Sequence, residues 1–251
     1  MSDQSLTVPI RLSVAAPAYN EAEGIEAVII EWHRFLSGLP ELESFEIVIC
    51  NDGSRDKTGD ILDRLTLSFP QLRPLHFAQN QGAAAALNAA IAATTGDWVL
   101  LIDSDGQFPI QNLPDMMAAL RKTGGRAAIG IRQKKDAAFA QFGSWASGQV
   151  CNLVHGSRVS DFNSAFKLVW GPTLRNLGLE AKGMNYSTEV TSRLLERSIV
   201  PVEVTIEHRP RVTGASSMKL VRGAIHRFLF VSYIALRQLL LGLGILSRPK
   251  P

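Results

Sequence analysis

Residues 98–106, WVLLIDSDG, set an unbroken apolar run directly against two carboxylates. A strand that is apolar on both faces must be covered on both, as central strands of parallel sheets are. In open parallel sheets the loops at the strands' carboxyl ends line the ligand crevice, so Asp103 and Asp105 are expected to face one. The preceding chain repeats the pattern. RLSVAAP reads as a buried strand stopped by Pro17, and AEGIEAVIIEWHRFL places apolar residues at helical intervals. The apolar run 45–50 ends in the turn residues of NDGSRDKT, before the helix GDILDRLTLSF. LHFA is a third short strand. It is followed by the alanine-rich helix former QGAAAALNAAIAATTG, with Gly96 expected at its C-cap. LPDMMAALRKTG and AAIGI continue the alternation. The expected class is α/β: an open, mostly parallel central sheet with helices on both faces.

Composition narrows the rest. A chain of 251 residues with 46% hydrophobic and 20% charged side chains can bury one substantial core, which excludes disordered or collagen-like chains. Cys50 sits inside an apolar run far from Cys151, so neither a zinc site nor a disulfide framework is expected. The 26 basic residues exceed the 23 acidic ones too slightly to suggest a nucleic-acid partner. MSDQSLTVPIRLSV has no basic region leading into an apolar core, so no secretory signal is expected and the cytoplasm is the default location. Beyond residue 132 the alternation loosens into a less regular lobe. There DFNSAFKLVW and IVPVEVTIE read as strands, TSRLLERS as part of a helix and EHRPRVTGASSMK as a long polar loop. The organisation expected is one domain over 1–220, with halves at about 8–131 and 132–220, then an apolar and basic helical segment over 221–251.

Asp103, Asp105 and Gln107 offer hard oxygen ligands within one turn, which suits Mg²⁺ or Mn²⁺ bridging a diphosphate that bare acids would repel. The other reading is that the aspartates cap the next helix or sit in a solvated turn. PAYNE (17–21) and NDGSRD (51–56) follow the first two strands, so their loops emerge on the same sheet edge. Asp52 could accept hydrogen bonds from a nucleobase, Tyr19 could offer a flat apolar surface and Glu21 could fix base or ribose, although each is also an ordinary turn residue.

PAYNE, NDGSRDKT, NQGAAAALNAAI and DSDGQFP, in that order and at those spacings, resemble the nucleotide-sugar half of inverting family 2 glycosyltransferases of the GT-A fold. The second half is similar to their dolichyl-phosphate mannose synthase and polyprenyl-phosphate glycosyltransferase branch, with DFNSAFK and RVTGASSMK standing at its Asp-x-x-Ser-x-Phe-Arg and Arg-x-x-Gly-x-Ser-Lys elements. The resemblance implies that Pro17, Tyr19, Glu21 and Asp52 hold the nucleoside, Asp103 the ribose or metal side, and Asp105 with Gln107 the divalent cation. It further implies that Ser164, Lys167, Arg209, Arg211, Ser216 and Lys219 form the acceptor and phosphate side. Guanidinium forks and ammonium groups suit phosphate, but HRPR and ASSMK also read as a solvated basic loop. Departures are Lys167 in place of the branch's Arg, which loses the two-point fork, and Ser217 in place of its Lys. Asp161 is the candidate base for a hydroxyl acceptor. A phosphate acceptor is already anionic and needs none, leaving Asp161 to position a cation or to sit in a turn.

The apolar stretch from Val221 to Leu246 is interrupted by Arg222, Arg227 and Arg237. An arginine near a bilayer's centre costs about 3 kcal/mol, so an interfacial helix at the inner face of the cell membrane is favoured over a span. Packing on this protein or on a second copy competes with it. The expected activity is cation-dependent, inverting transfer of a sugar from a nucleoside diphosphate to a polyprenyl phosphate. Transfer to a saccharide or small-molecule hydroxyl, and a non-catalytic nucleotide-sugar-binding module, are the alternatives. No GxGxxG follows the first strand, which disfavours a dinucleotide-dependent dehydrogenase.

Overall fold

The computed structural model describes residues 9–132, 138–181, 185–210 and 220–246, with side chains described outside 138–144 and 220–227. Seven strands form one sheet in the order β3-β2-β1-β4-β6-β5-β7. They are β1 (Ile10–Ala18), β2 (Leu42–Asn51), β3 (Leu72–His76), β4 (Trp98–Leu101), β5 (Ala127–Arg132), β6 (Lys167–Trp170) and β7 (Val202–Ile206). The helices are α1 (Ile25–Ser37), α2 (Thr58–Thr66), α3 (Ala83–Ala93), α4 (Leu113–Thr123), α5 (Ala138–His155), α6 (Gly171–Arg175), α7 (Tyr186–Glu196) and α8 (Leu220–Gly242).

The central strands are buried because they are apolar on both faces: Val14, Ala15, Ile47, Val48, Val99 and Leu100 are sealed from solvent. α3 lies against β1 and β2, and α4 against β5 and β7. α4 begins with a proline in its first turn and ends at Gly124, whose positive φ of 67° lets its N–H reach back to Leu120 O.

Two expectations are corrected. α3 stops at Ala93, and Gly96 is no helix cap: a Cβ there would stand 2.7 Å from Ser13 N and its hydroxyl, so a bare Cα is needed for close approach to β1. DFNSAF is loop, and only KLVW forms a strand. That strand, β6, runs antiparallel to both β4 and β5. Its first residue, Lys167, therefore stands opposite Leu101, at the carboxyl end of β4, and the start of β6 meets the DSD loop.

Candidate active site

Four loops at the carboxyl edge are tied together by their own polar atoms. Asp52 N–H donates to Ala18 O at 2.8 Å, continuing the β1–β2 ladder into the loops. Asn20 takes the left-handed conformation at φ 54°; its N–H donates to Ser54 Oγ and its Oδ1 accepts from Arg55 N–H. Thr58 Oγ1 accepts from Glu21 N–H at 2.9 Å, and the Ser104 hydroxyl donates to Pro17 O at 2.7 Å. Pro17, Tyr19 and Glu21 are all half-buried in this rim.

Asp52 is 1% exposed, and its carboxylate accepts from Asn80 Nδ2 (2.8 Å), Gln81 N–H (2.7 Å) and Gly82 N–H (2.9 Å). It shapes the NQG loop, and an ionised carboxylate with about four acceptor sites keeps one more. Gly53, at φ 62°, allows that loop to pass, since a Cβ there would lie 2.4 Å from Gln79 carbonyl carbon.

The aspartates of the DSD loop do not cap a helix: neither the 3-10 turn at 110–112 nor α4 has a side-chain cap. Asp105 accepts Gln107 N–H at 3.1 Å, and Asp103 Oδ1 accepts the buried Tyr186 hydroxyl from the first turn of α7. Burial, then the charge of Asp105, raises the Asp103 pKa to about 6. Two carboxylates held close enough to repel, with only oxygen donors, fit a hard divalent cation that would relieve the repulsion. Among the described residues no group of three or more His, Cys, Asp or Glu could hold a metal. Asp103 and Asp105 would therefore hold an ion whose remaining ligands are phosphate oxygens, water and Gln107.

On the far side of Asp103 lies a buried charged cluster. Arg132, at the end of β5, grips Asp161 with a two-point fork, Nε to Oδ2 at 2.8 Å and Nη2 to Oδ1 at 3.0 Å. Asp161 also accepts Asn163 N–H at 3.2 Å. Lys167 is buried and donates to Ser164 O and to Ser187 Oγ. Its burial lowers its pKa to about 7, opposed by the pull of Asp161 and Asp103. Ser164 is fully buried, and its hydroxyl has no hydrogen-bond partner among the described residues. Lys167 and Ser164 thus sit inside the lobe, between the α7 start and the sheet, rather than on an open loop.

Arg209 pairs with both carboxylate oxygens of Glu31 on α1, at 3.1 and 3.2 Å, and its N–H donates to Gln107 O at 2.8 Å. The segment after β7 is thereby tethered to the DSD loop. Arg211, Ser216 and Lys219 lie outside the described residues. Sequence reasoning missed Arg132, Asn80 and Tyr186. Arg132 follows the same rule as Asp103, a polar residue at the carboxyl end of an apolar strand, and was legible. Tyr186 carries no local signal, because its partner is 83 residues away.

Residues 13–150 match the model for glycosyl transferase family 2, more than half of the chain, and the chain belongs to that family. A bactoprenol glucosyl transferase of Shigella phage SfX is 37% identical over 110 residues, 43% of this chain and 35% of the relative. A dolichyl-phosphate beta-glucosyltransferase, ALG5A, of Trichomonas vaginalis is 32% identical over 136 residues, 51% of this chain and 42% of the relative. The match thus spans under half of these relatives' length. Glucosyl-3-phosphoglycerate synthase from Mycobacterium tuberculosis, solved with Mn²⁺ and UDP-glucose, shares the fold. It has a TM-score of 0.68 at 20% identity, over 91% of this chain and 79% of that one. The fold is GT-A-like, as the motif order implied.

Proposed function

We propose that this chain is a glycosyltransferase that binds a nucleoside diphosphate sugar with Mg²⁺ or Mn²⁺ and transfers the sugar, with inversion, to a polyprenyl phosphate. One observation carries the donor side: Asp103 and Asp105 stand at the end of β4, beside a rim knitted from the PAYNE, NDGSRD and NQG loops. Pro17, Tyr19, Glu21 and Asp52 hold the nucleoside. The cation, when bound, neutralises the donor diphosphate and the charge that grows on it as a leaving group. The relatives named for bactoprenol and dolichyl phosphate acceptors support the lipid acceptor.

The chain's own residues favour a phosphate over a hydroxyl. Asp161 is clasped by Arg132 through both oxygens. A carboxylate held by a guanidinium is a poor proton acceptor, since the partner charge stabilises its ionised form. Its role is to aim Arg132 at the acceptor anion, which attacks without a base, while the buried Lys167 adds positive charge from inside the lobe. No described helix is long and apolar enough to cross a membrane. Exposed apolar side chains on α5 and α8, including Trp145, Leu153, Phe228, Leu229, Leu236 and Leu239, suit peripheral contact with the surface that carries a lipid acceptor.

Incubation with a panel of nucleoside diphosphate sugars, with and without Mn²⁺, against polyprenyl phosphate and against hydroxyl acceptors tests the reading. Product formed only with lipid phosphate and cation is expected. Product with hydroxyl acceptors alone would return Asp161 to the role of base, and no turnover with any acceptor would leave a binding module.

A further inference from the structure

The donor-site reading leaves unexplained a second network of charges, buried behind α7. Arg193, 2% exposed, is held by Glu189 at 3.1 Å and Glu196 at 3.4 Å on its own helix, and by Glu180 at 3.1 Å. Glu189 is also buried, and its two oxygens accept Glu180 N–H (2.9 and 3.0 Å) and Ala181 N–H (2.7 Å). That carboxylate pins Glu180 and Ala181 to the helix whose first residue, Tyr186, donates to Asp103.

The other side of the network belongs to α8. The Tyr233 hydroxyl donates to Glu180 Oε2 at 2.5 Å and accepts from Arg193 Nη2 at 3.1 Å, while Arg237 pairs with Glu196 at 3.1 Å. Buried charges are costly unless their partners stay in place, so Arg193 and Glu189 tolerate few alternative arrangements. α8 also buries Val231 and Ile234 against Cys151 and Phe162.

We propose that α8 positions the donor-site carboxylate Asp103 through α7, with Tyr233 and Arg193 at one end of the relay and Tyr186 at the other. Tyr186 and Tyr233 are positioning residues. Tyr186 fixes one oxygen of Asp103 and so presents the rest of the carboxylate to the cation, and Tyr233 fixes the helix that carries Tyr186. Seating or lifting α8 thus changes how well the site is formed for donor and cation. The inference rests on the donor-site reading above.

The test is a double-mutant cycle with Tyr186→Phe and Tyr233→Phe in the full chain, since each removes one hydroxyl and leaves the ring packed. One readout is the Kd for uridine, guanosine or thymidine diphosphate with Mn²⁺, using whichever stabilises the parent most. The other is amide hydrogen exchange across 101–107 in the ligand-free protein. Tyr233→Phe is expected to weaken binding at least about threefold and to speed exchange in the DSD loop, with the double variant no worse than the worse single one. A Tyr233→Phe protein with a lowered Tm but unchanged Kd and unchanged exchange at 101–107 overturns the relay, as does strict additivity. If none of the diphosphates binds the parent, the donor-site reading fails, and the exchange measurement still decides whether α8 and the DSD loop are coupled.

Discussion

Arg132 and Asp161 meet through two hydrogen bonds, one partner ending β5 and the other within the loop before β6. Asp161 is nearly sealed from solvent, so removing the guanidinium would take away the two-point hydrogen bond that holds a buried carboxylate. Arg132→Ala is expected to cost about 3 kcal/mol in urea unfolding, with Arg132→Lys milder because one point of contact survives.

The same pair separates two chemistries. Asp161→Asn is expected to raise KM for a polyprenyl phosphate more than it lowers kcat. A general base contributes roughly 10²- to 10⁴-fold. A fall in kcat beyond about 100-fold at unchanged KM would identify Asp161 as the proton acceptor instead.

Asp105→Ala should abolish cation-dependent donor binding. In the parent, a nucleoside diphosphate with Mn²⁺ at a hundred times its Kd adds about 2.7 kcal/mol of stability, visible as a thermal shift. The variant is expected to show the same shift with and without cation. Equal shifts in the parent would refute cation use by this site.

Gly53 supports the loop proposed to hold the nucleoside by lacking a side chain. A Cβ would meet Gln79 and Asn80 backbone atoms at 2.4 and 2.5 Å, at a φ of 62° that other residues rarely adopt. Gly53→Ala is expected to lose about 2 kcal/mol or more and to displace the loop that Asp52 organises, read by denaturant unfolding and by loss of nucleotide affinity.

A pH-dependent contribution lies at the opposite sheet edge. Burial works against the charge of Glu46, but hydrogen bonds from Ser13 Oγ, Thr95 N–H and Arg73 outweigh it and leave the pKa below 4.5. A lowered carboxylate pKa gives stability that is present above the unfolded value and is lost as pH falls through the folded one. Glu46→Gln should therefore cost about 2 kcal/mol at pH 7, with the deficit shrinking below about pH 4.5. A deficit independent of pH would show that packing, not charge, is at work.

The strands and loops of the first half were legible because each apolar run and its turn residues are contiguous: LLIDSDG announces both a buried strand and the acids beyond it. The second half was not, for a physical reason. β6 is only four residues long and owes its place to neighbours on both sides, and Lys167, the residue that opens it, is polar yet buried. Arg193 is likewise a buried charge, held by two carboxylates of its own helix and by Glu180 from the segment before it. Nothing local to TSRLLERS distinguishes it from a solvated helix face. Tyr186 becomes meaningful only once the start of α7 is set against the loop that follows β4.

The antiparallel strand also limits how the molecule can be divided. The family match ends at residue 150, but β6 at 167–170 is the strip that joins β4 to β5. A fragment cut at the end of the match would expose an unpaired edge on β4 and detach β5 from the rest of the sheet, inviting self-association. The matched segment is thus not a removable cassette, and grafting it elsewhere would require carrying the late strand along with it.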